Sequence, residues 1–510
     1  MDRIEKLILS LIDENRNRIV SFAEDVRLHP ESGFKECRTA SKLADLFRGM
    51  DLPTEEGLAI TGVRAVLGVL DTKIGASVVI CGELDGVRCD RHPEADPVTG
   101  IAHACGHHAQ LGAMAGAAFA LSNPEVAAVL DGIVTFLGVP AEEGMEGDLK
   151  RQLQKDGKIR MMSGGKAELI HLGVFDGMDA VLASHAHFSE TGADLLIGNG
   201  STNGYTAKTI TVRGKAAHAG SKPHEGINAL NAASLGLTAL AYHRETFRDE
   251  DAVRIHGVIT KGGGAVNVVP DEVTIEVMVR GKNLAAISDA GMKTDRSFKA
   301  AAMALGAQAE IANLPGYLPV IASPPEKVQW LAAAALSEAY ESGINVPASG
   351  HSLISQPGES TIEDPLGQIH AKPAIPHPIT ISAVDPGLHN PLSTDVGDLT
   401  HLLPVLHVTS GGYVGSLHGA DFRIFDDETA IIMPAKLMAL TTYHLLKNGA
   451  AEARSLREKF KPALTKDAYL ALMGLSEPET GSDFEPQGSD FEPQGSDFEP
   501  HGLDFESQGS

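Results

Sequence analysis

At 510 residues, 43% of them hydrophobic, the chain is long enough for two or three domains and at least one large core. Its net charge of −25 argues against nucleic-acid backbones and anionic membrane surfaces as partners, which would repel it. Four cysteines, Cys37, Cys81, Cys89 and Cys105, are too few for a disulfide framework and suit a reducing cytoplasm. The absence of any apolar run of about 18 residues argues against a membrane-spanning helix.

The first segment, MDRIEKLILSLIDENRNRIV, interrupts its apolar positions with charges. It lacks the apolar block and small-residue cleavage site of a secretory leader. Ile4, Leu7, Ile8 and Leu11 stand at helical spacing, so an amphipathic opening helix is expected. Up to about residue 200, helix-like and strand-like segments alternate. Ala76 to Cys81, Ile133 to Val139 and Ala180 to Ala183 are short apolar runs bounded by turn residues. They read as buried strands of a mostly parallel sheet. His108 to Leu121, rich in Ala, Leu and Met, reads as a helix between the first two. This alternation predicts an α/β fold with helices flanking the sheet.

Near residue 200 the period changes. Tyr205 to Arg213 alternates, and Val273, Ile275, Val277 and Val279 share one face of a second alternating segment. These predict a half-exposed antiparallel sheet. Helical stretches at about Ile227 to His243 and Asn283 to Leu305 fall among the strands. Two helices on one face of four strands make an inserted α+β, ferredoxin-like domain of roughly 110 residues. The expected division is 1–200 and 316–455 for the α/β unit and 201–315 for the insert. Val328 to Tyr340 and Thr429 to Leu446 are further helices, and 345–395, rich in Pro, Gly, Ser and His, reads as a long loop near the site. From Gly481 the acidic unit GSDFEPQ recurs every seven residues. Gly and Pro in each unit forbid a coiled coil, so 476–510 is expected to be disordered. It is read as an inert repeat expansion, or as a linear motif repeated for avidity.

Four clusters carry candidate chemistry. In Ala102-His103-Ala104-Cys105-Gly106-His107-His108, a thiol and an imidazole two residues apart suit a transition metal. Gly106 lets the backbone turn so that both face one point. The segment alone fits equally a buried thiol beside helix-capping histidines. Pro140-Ala141-Glu142-Glu143-Gly144 follows a strand, where open α/β sheets bind ligands. One acid could ligate a metal while the other handles a proton, although an isolated acidic pair is more often a solvated loop. Ser184-His185-Ala186-His187 ends a third strand, and His418 precedes the last long helix. A parallel sheet brings such strand ends to one rim, where one Cys, several His and two Glu suit a catalytic metal pair.

These motifs, with GKAAHAGSKPHEGINAL at 214–230 and NVVPDEV at 267–273, resemble the amidohydrolase branch of the aminoacylase/carboxypeptidase metallopeptidase family. That branch includes p-aminobenzoyl-glutamate hydrolase and aminoacylase-like dipeptidases. The resemblance runs from His29 to about Leu446. It implies a zinc-peptidase-like catalytic unit with an inserted lid, a homodimer formed through that lid, and two divalent metal ions per subunit, zinc or manganese. The implied activity is hydrolysis of the amide bond in a small carboxylate-bearing N-acyl amino acid, aminobenzoyl-glutamate-like conjugate or dipeptide. Carried over by position, Cys105 would bridge the metals, and His107, Glu143, His185 and His418 would ligate them, with His187 a second choice to His185. Glu142 would be the general base, and Asp85 would orient a metal-bound histidine. His218 would reach a neighbouring subunit's site to steady an oxyanion. Asn267 and Arg280 would hold the substrate carboxylate. The commoner motif has Asp and His where this chain has His108 and Gln110. The alternative reading is a non-catalytic or regulatory partner subunit with the same fold.

Overall fold

The computed structural model describes residues 1–68, 75–143, 147–187, 193–341, 361–363, 369–371 and 379–475. The repeat tail and most of the Pro- and His-rich segment 345–395 lie outside them.

Eight strands form the larger sheet. In spatial order they are Thr54–Leu58, Gly62–Leu67, Gly132–Val139, Ala76–Glu83, Ala180–Ala186, Val405–Ser410, Leu195–Ile197 and Ile381–Ala383. The four central strands are mutually parallel, and antiparallel neighbours flank them. Every residue of Ala76–Glu83 is buried, as its unbroken apolar run predicts. Helix His107–Leu121 is buried along its whole length. It packs against Arg16–Arg27 and the long C-terminal helix beginning at Met433. Small residues permit that approach: a Cβ on Gly116 would stand 2.7 Å from Ala435 Cβ. The C-terminal helix breaks at Lys447–Ala450, where Asn448, Gly449 and Ala450 take positive φ. This lies next to its expected end at Leu446.

The opening helix, Arg3–Glu14, buries Glu5, Ile8, Leu9 and Ile12. The expected stripe was centred one residue earlier. Glu5 turns inward because its carboxylate both closes the helix cap with Asp2 and lies 3.1 Å from His444. Ile4, Leu7 and Leu11 only flank the core.

The insert has the order strand Gly204–Arg213, helix Ala229–Tyr242, strands Arg254–Lys261 and Glu272–Gly281, helix Leu284–Ala304, strand Gln308–Pro315. Its antiparallel sheet runs Arg254–Lys261, Glu272–Gly281, Gly204–Arg213, Gln308–Pro315, the split-βαβ arrangement. Ile210, Val212, Val273, Ile275, Val277 and Val279 form the core beneath the two helices. Farther along the chain, Ile381–Ala383 joins the edge of the large sheet, so part of the expected 345–395 loop is strand.

Candidate active site

Four parallel strands deliver their C-terminal ends to one rim. Glu83 closes one, and Leu84-Asp85 follow. Val139 closes another, and Pro140-Ala141-Glu142-Glu143 follow. His185 sits at the end of the third, and Ser410 ends the fourth ahead of the loop carrying His418. The Cys105-Gly106-His107 turn meets them from the head of the central helix. Gly106 has φ 93°, a left-handed conformation that a side chain would strain. Ala141 and His418 also have positive φ, 52° and 62°. Such strain in non-glycine residues gathers where surrounding structure holds functional groups in place. At Ala141 the holding contact is its N–H donating to buried Glu36 Oε1 at 2.8 Å.

The donor atoms fall into overlapping groups. Those of Cys105, His107 and His185 lie within 4.8 Å of one another, and so do those of Cys105, Glu143 and His418. Cys105 Sγ is 3.5 Å from His185 Nε2, and His418 Nε2 is 3.2 Å from Glu143 Oε2. His107 Nε2 and Glu143 Oε1 are 3.7 Å apart, and both are buried without a hydrogen bond, although Glu83 Oε2 stands 3.0 Å from His107 Nε2 and forms a third donor group with His107 and Glu142. Buried polar atoms without partners are costly. Here they lie among a thiol, imidazoles and carboxylates, a donor set whose chemistry fits divalent metal ions. His187 is not in these groups. His107 Nδ1 donates to the backbone carbonyl of Asp85 at 2.9 Å. The Asp85 carboxylate accepts from the Glu143 N–H, also at 2.9 Å. Asp85 therefore orients both residues, one through its backbone and one through its side chain.

Glu142 is buried beside the cluster, its Oε2 3.8 Å from His107 Nε2. Thr394 Oγ1 donates to Glu142 Oε1 at 3.0 Å, and the Tyr317 hydroxyl donates to the Glu142 carbonyl at 2.5 Å. Burial, then Glu83, Asp395 and Glu143, push the Glu142 carboxyl well above the usual range. Glu143 behaves oppositely. Burial alone would raise it, but the His418 hydrogen bond and His107 bring it below its ordinary value. Two adjacent carboxyls driven apart in this way suit different tasks.

Sequence reasoning missed a second layer. Lys166 is fully buried between Glu83 and Asp395. Gln110, a departure from the commoner motif, explains itself here: its amide donates to Glu83 Oε2 at 2.8 Å and accepts from the Glu83 N–H at 3.2 Å. His108 packs edge-on against His103, ring centroids 5.5 Å apart. Burial pulls the His103 imidazole down to about 3 and His108 far below its ordinary value, so both are neutral. His108 is in none of the donor groups.

Above the rim is a cleft of about 660 Å³. Glu142, Glu143 and His418 line one side, and the open face of the insert's sheet, with Tyr205, Met278 and Arg280, lines the other. His218 and Asn267 do not line it. They lie on two adjacent exposed loops, joined where the Ala219 N–H donates to the Asn267 carbonyl.

Residues 201–301 match a family model described as a peptidase dimerisation domain. The chain is 28% identical to an Xaa-Arg dipeptidase of Mus musculus over 61% of its own length and 66% of the relative's. It is 27% identical to a p-aminobenzoyl-glutamate hydrolase component of Escherichia coli over 55% of its own length and 54% of that protein's. It thus spans about two thirds of the first and about half of the second. Among solved structures, a Bacillus subtilis protein described as a dinuclear metal-binding peptidase of the M20 family superposes with a TM-score of 0.55 at 20% identity. That match covers 84% of this chain and 98% of the other, and is a likeness of fold.

Proposed function

We propose that the chain is a metallopeptidase of the M20 type, as its matched dimerisation domain and relatives suggest, and that it hydrolyses the amide bond of an N-acyl amino acid, an aminobenzoyl-glutamate-like conjugate or a dipeptide. The observation that carries the reading is the meeting of two donor groups at Cys105 beside a buried carboxyl, Glu142. Two divalent ions, zinc or manganese, would be held by Cys105 with His107 and His185 and by Cys105 with Glu143 and His418, supplying Lewis acidity when bound.

Glu142 would take a proton from the attacking water and hand it to the leaving nitrogen. Thr394 and Tyr317 hold it in position. Arg280, on the cleft face of the insert, would grip the substrate carboxylate through its planar fork. Residues 1–200 and 316–455 would form the catalytic unit, and 201–315 the lid through which two copies pair. His218 and Asn267, placed away from the cleft of their own subunit, would then serve a second copy's cleft, His218 as oxyanion donor. The free state of all four cysteines accords with a cytoplasmic enzyme. No helix among the described residues is long and apolar enough to cross a membrane.

The test is a metal-stripped chain reloaded with manganese or zinc and offered N-acyl amino acids, dipeptides and p-aminobenzoyl-glutamate. Metal-dependent amine release is expected. A correctly folded, metal-loaded chain that turns over none of them would favour the non-catalytic partner reading.

A further inference from the structure

Helix Gly147–Lys155 places Lys150 in the cleft wall. Lys150 Nζ donates to the Ser163 carbonyl at 3.0 Å, its one hydrogen-bond partner among the described residues. No carboxylate among them lies within ion-pair distance of it, and Asp85 and Asp395 act on it only from farther away. An ammonium has three donors, so two remain for a ligand. Burial draws this ammonium down to about 8, which leaves it mostly charged at neutral pH. A desolvated cation with spare donors in a substrate cleft is costly unless an anion completes it.

Its neighbours locate that anion. Ser163 leads into Gly164, whose Cβ position would lie 3.4 Å from the Tyr317 hydroxyl. The Tyr317 ring packs edge-on against Tyr205, centroids 4.9 Å apart. Tyr205 is the cross-strand partner of Arg280. Lys150 and Arg280 therefore border one continuous wall, and the Arg280 guanidinium likewise has a buried Nε without a partner. Glu276, the acid of that strand that lines the cleft, is exposed and four residues from Arg280, about 13 Å along it. It is too distant to neutralise either cation.

We propose that the amino acid released by hydrolysis is a dicarboxylate, aspartate or glutamate, whose α-carboxylate meets Arg280 and whose side-chain carboxylate meets Lys150. This rests on the amide-hydrolase reading above and names its substrate class.

The test compares kcat/KM of the metal-reloaded full chain for N-benzoyl-glutamate, N-benzoyl-glutamine and N-benzoyl-arginine. The wild type should prefer glutamate over glutamine by roughly tenfold or more, the usual span for a hydrogen bond to a charged group. Lys150→Met should bring that ratio close to one while leaving the glutamine rate within about threefold. Lys150→Gln, with a check that the fold melts normally, repeats the test should Met disturb the helix. A wild type that takes glutamine or arginine as well as glutamate overturns the inference and leaves the hydrolase reading standing. So does an acidic preference that survives both substitutions. No turnover of any N-acyl amino acid overturns both.

Discussion

Lys166 Nζ lies 2.5 Å from Glu83 Oε1, and the same ammonium is 2.5 Å from Asp395 Oδ1. All three side chains are buried, and Glu83 in turn stands 3.0 Å from His107 Nε2. This cation is what lets two acids approach the floor of the site. Removing one partner of a buried ion pair leaves an uncompensated charge and costs about 3–5 kcal/mol. Lys166→Met is expected to lower the melting temperature by about 5 °C or more, read by thermal unfolding at pH 7. Unchanged melting would mean that the acids do not depend on it.

Glu142→Gln keeps the shape of the side chain and an acceptor for Thr394 but cannot carry the proton. The expected result is a loss in kcat of about 10²- to 10⁴-fold with metal content, measured by elemental analysis, near wild type. A variant that also loses its metal would place Glu142 among the ligands and undo its assignment as the base.

The placement of His218 and Asn267 on two adjacent exposed loops gives a prediction about assembly. Subunits carrying His218→Ala and subunits carrying Glu142→Gln should each be nearly inactive alone. In mixed dimers, one cleft combines an intact Glu142 with an intact His218 from the other copy, so activity should return. Confirmed mixed dimers without recovery would rule out a shared site.

Asp398 offers a pH test away from the donor cluster. Burial pushes its carboxyl up to about 8, with the Leu318 amide opposing and Asp395 adding. The folded chain therefore keeps a proton that the unfolded chain surrenders above about pH 4. Stability from this group is present below that pH, declines as pH rises from about 4 to about 8, and is level beyond. Asp398→Asn retains an acceptor for the Leu318 N–H and cannot ionise, so its melting temperature should fall less over that window. Its advantage over wild type should be widest near pH 8. Parallel profiles for the two proteins would contradict the assignment.

The rim was legible in the sequence because strand ends announce themselves. Apolar runs before Glu142 and His185 locate them at one edge, and Gly106 before the helix marks the turn that aims Cys105 and His107. The floor was not legible. Lys166 sits in the short helix Gly165–His171, where nothing in the local pattern separates a buried cation from a surface one. Its partners are 83 and 229 residues away. Gln110 looked like a loss until Glu83 was seen to use both ends of its amide. Lys150 stayed hidden for a similar reason, since only the folded helix shows that it faces the cleft. Motif spacing places ligands along the chain, but charge compensation is a property of the assembled interior.

The most direct measurement is anomalous diffraction from crystals of the manganese- or zinc-loaded protein, collected on both sides of the metal's absorption edge. Two peaks are expected in each subunit, one shared by Cys105, His107 and His185 and one by Cys105, Glu143 and His418. A metal-loaded, correctly folded protein with no peak beside Cys105 would contradict the account.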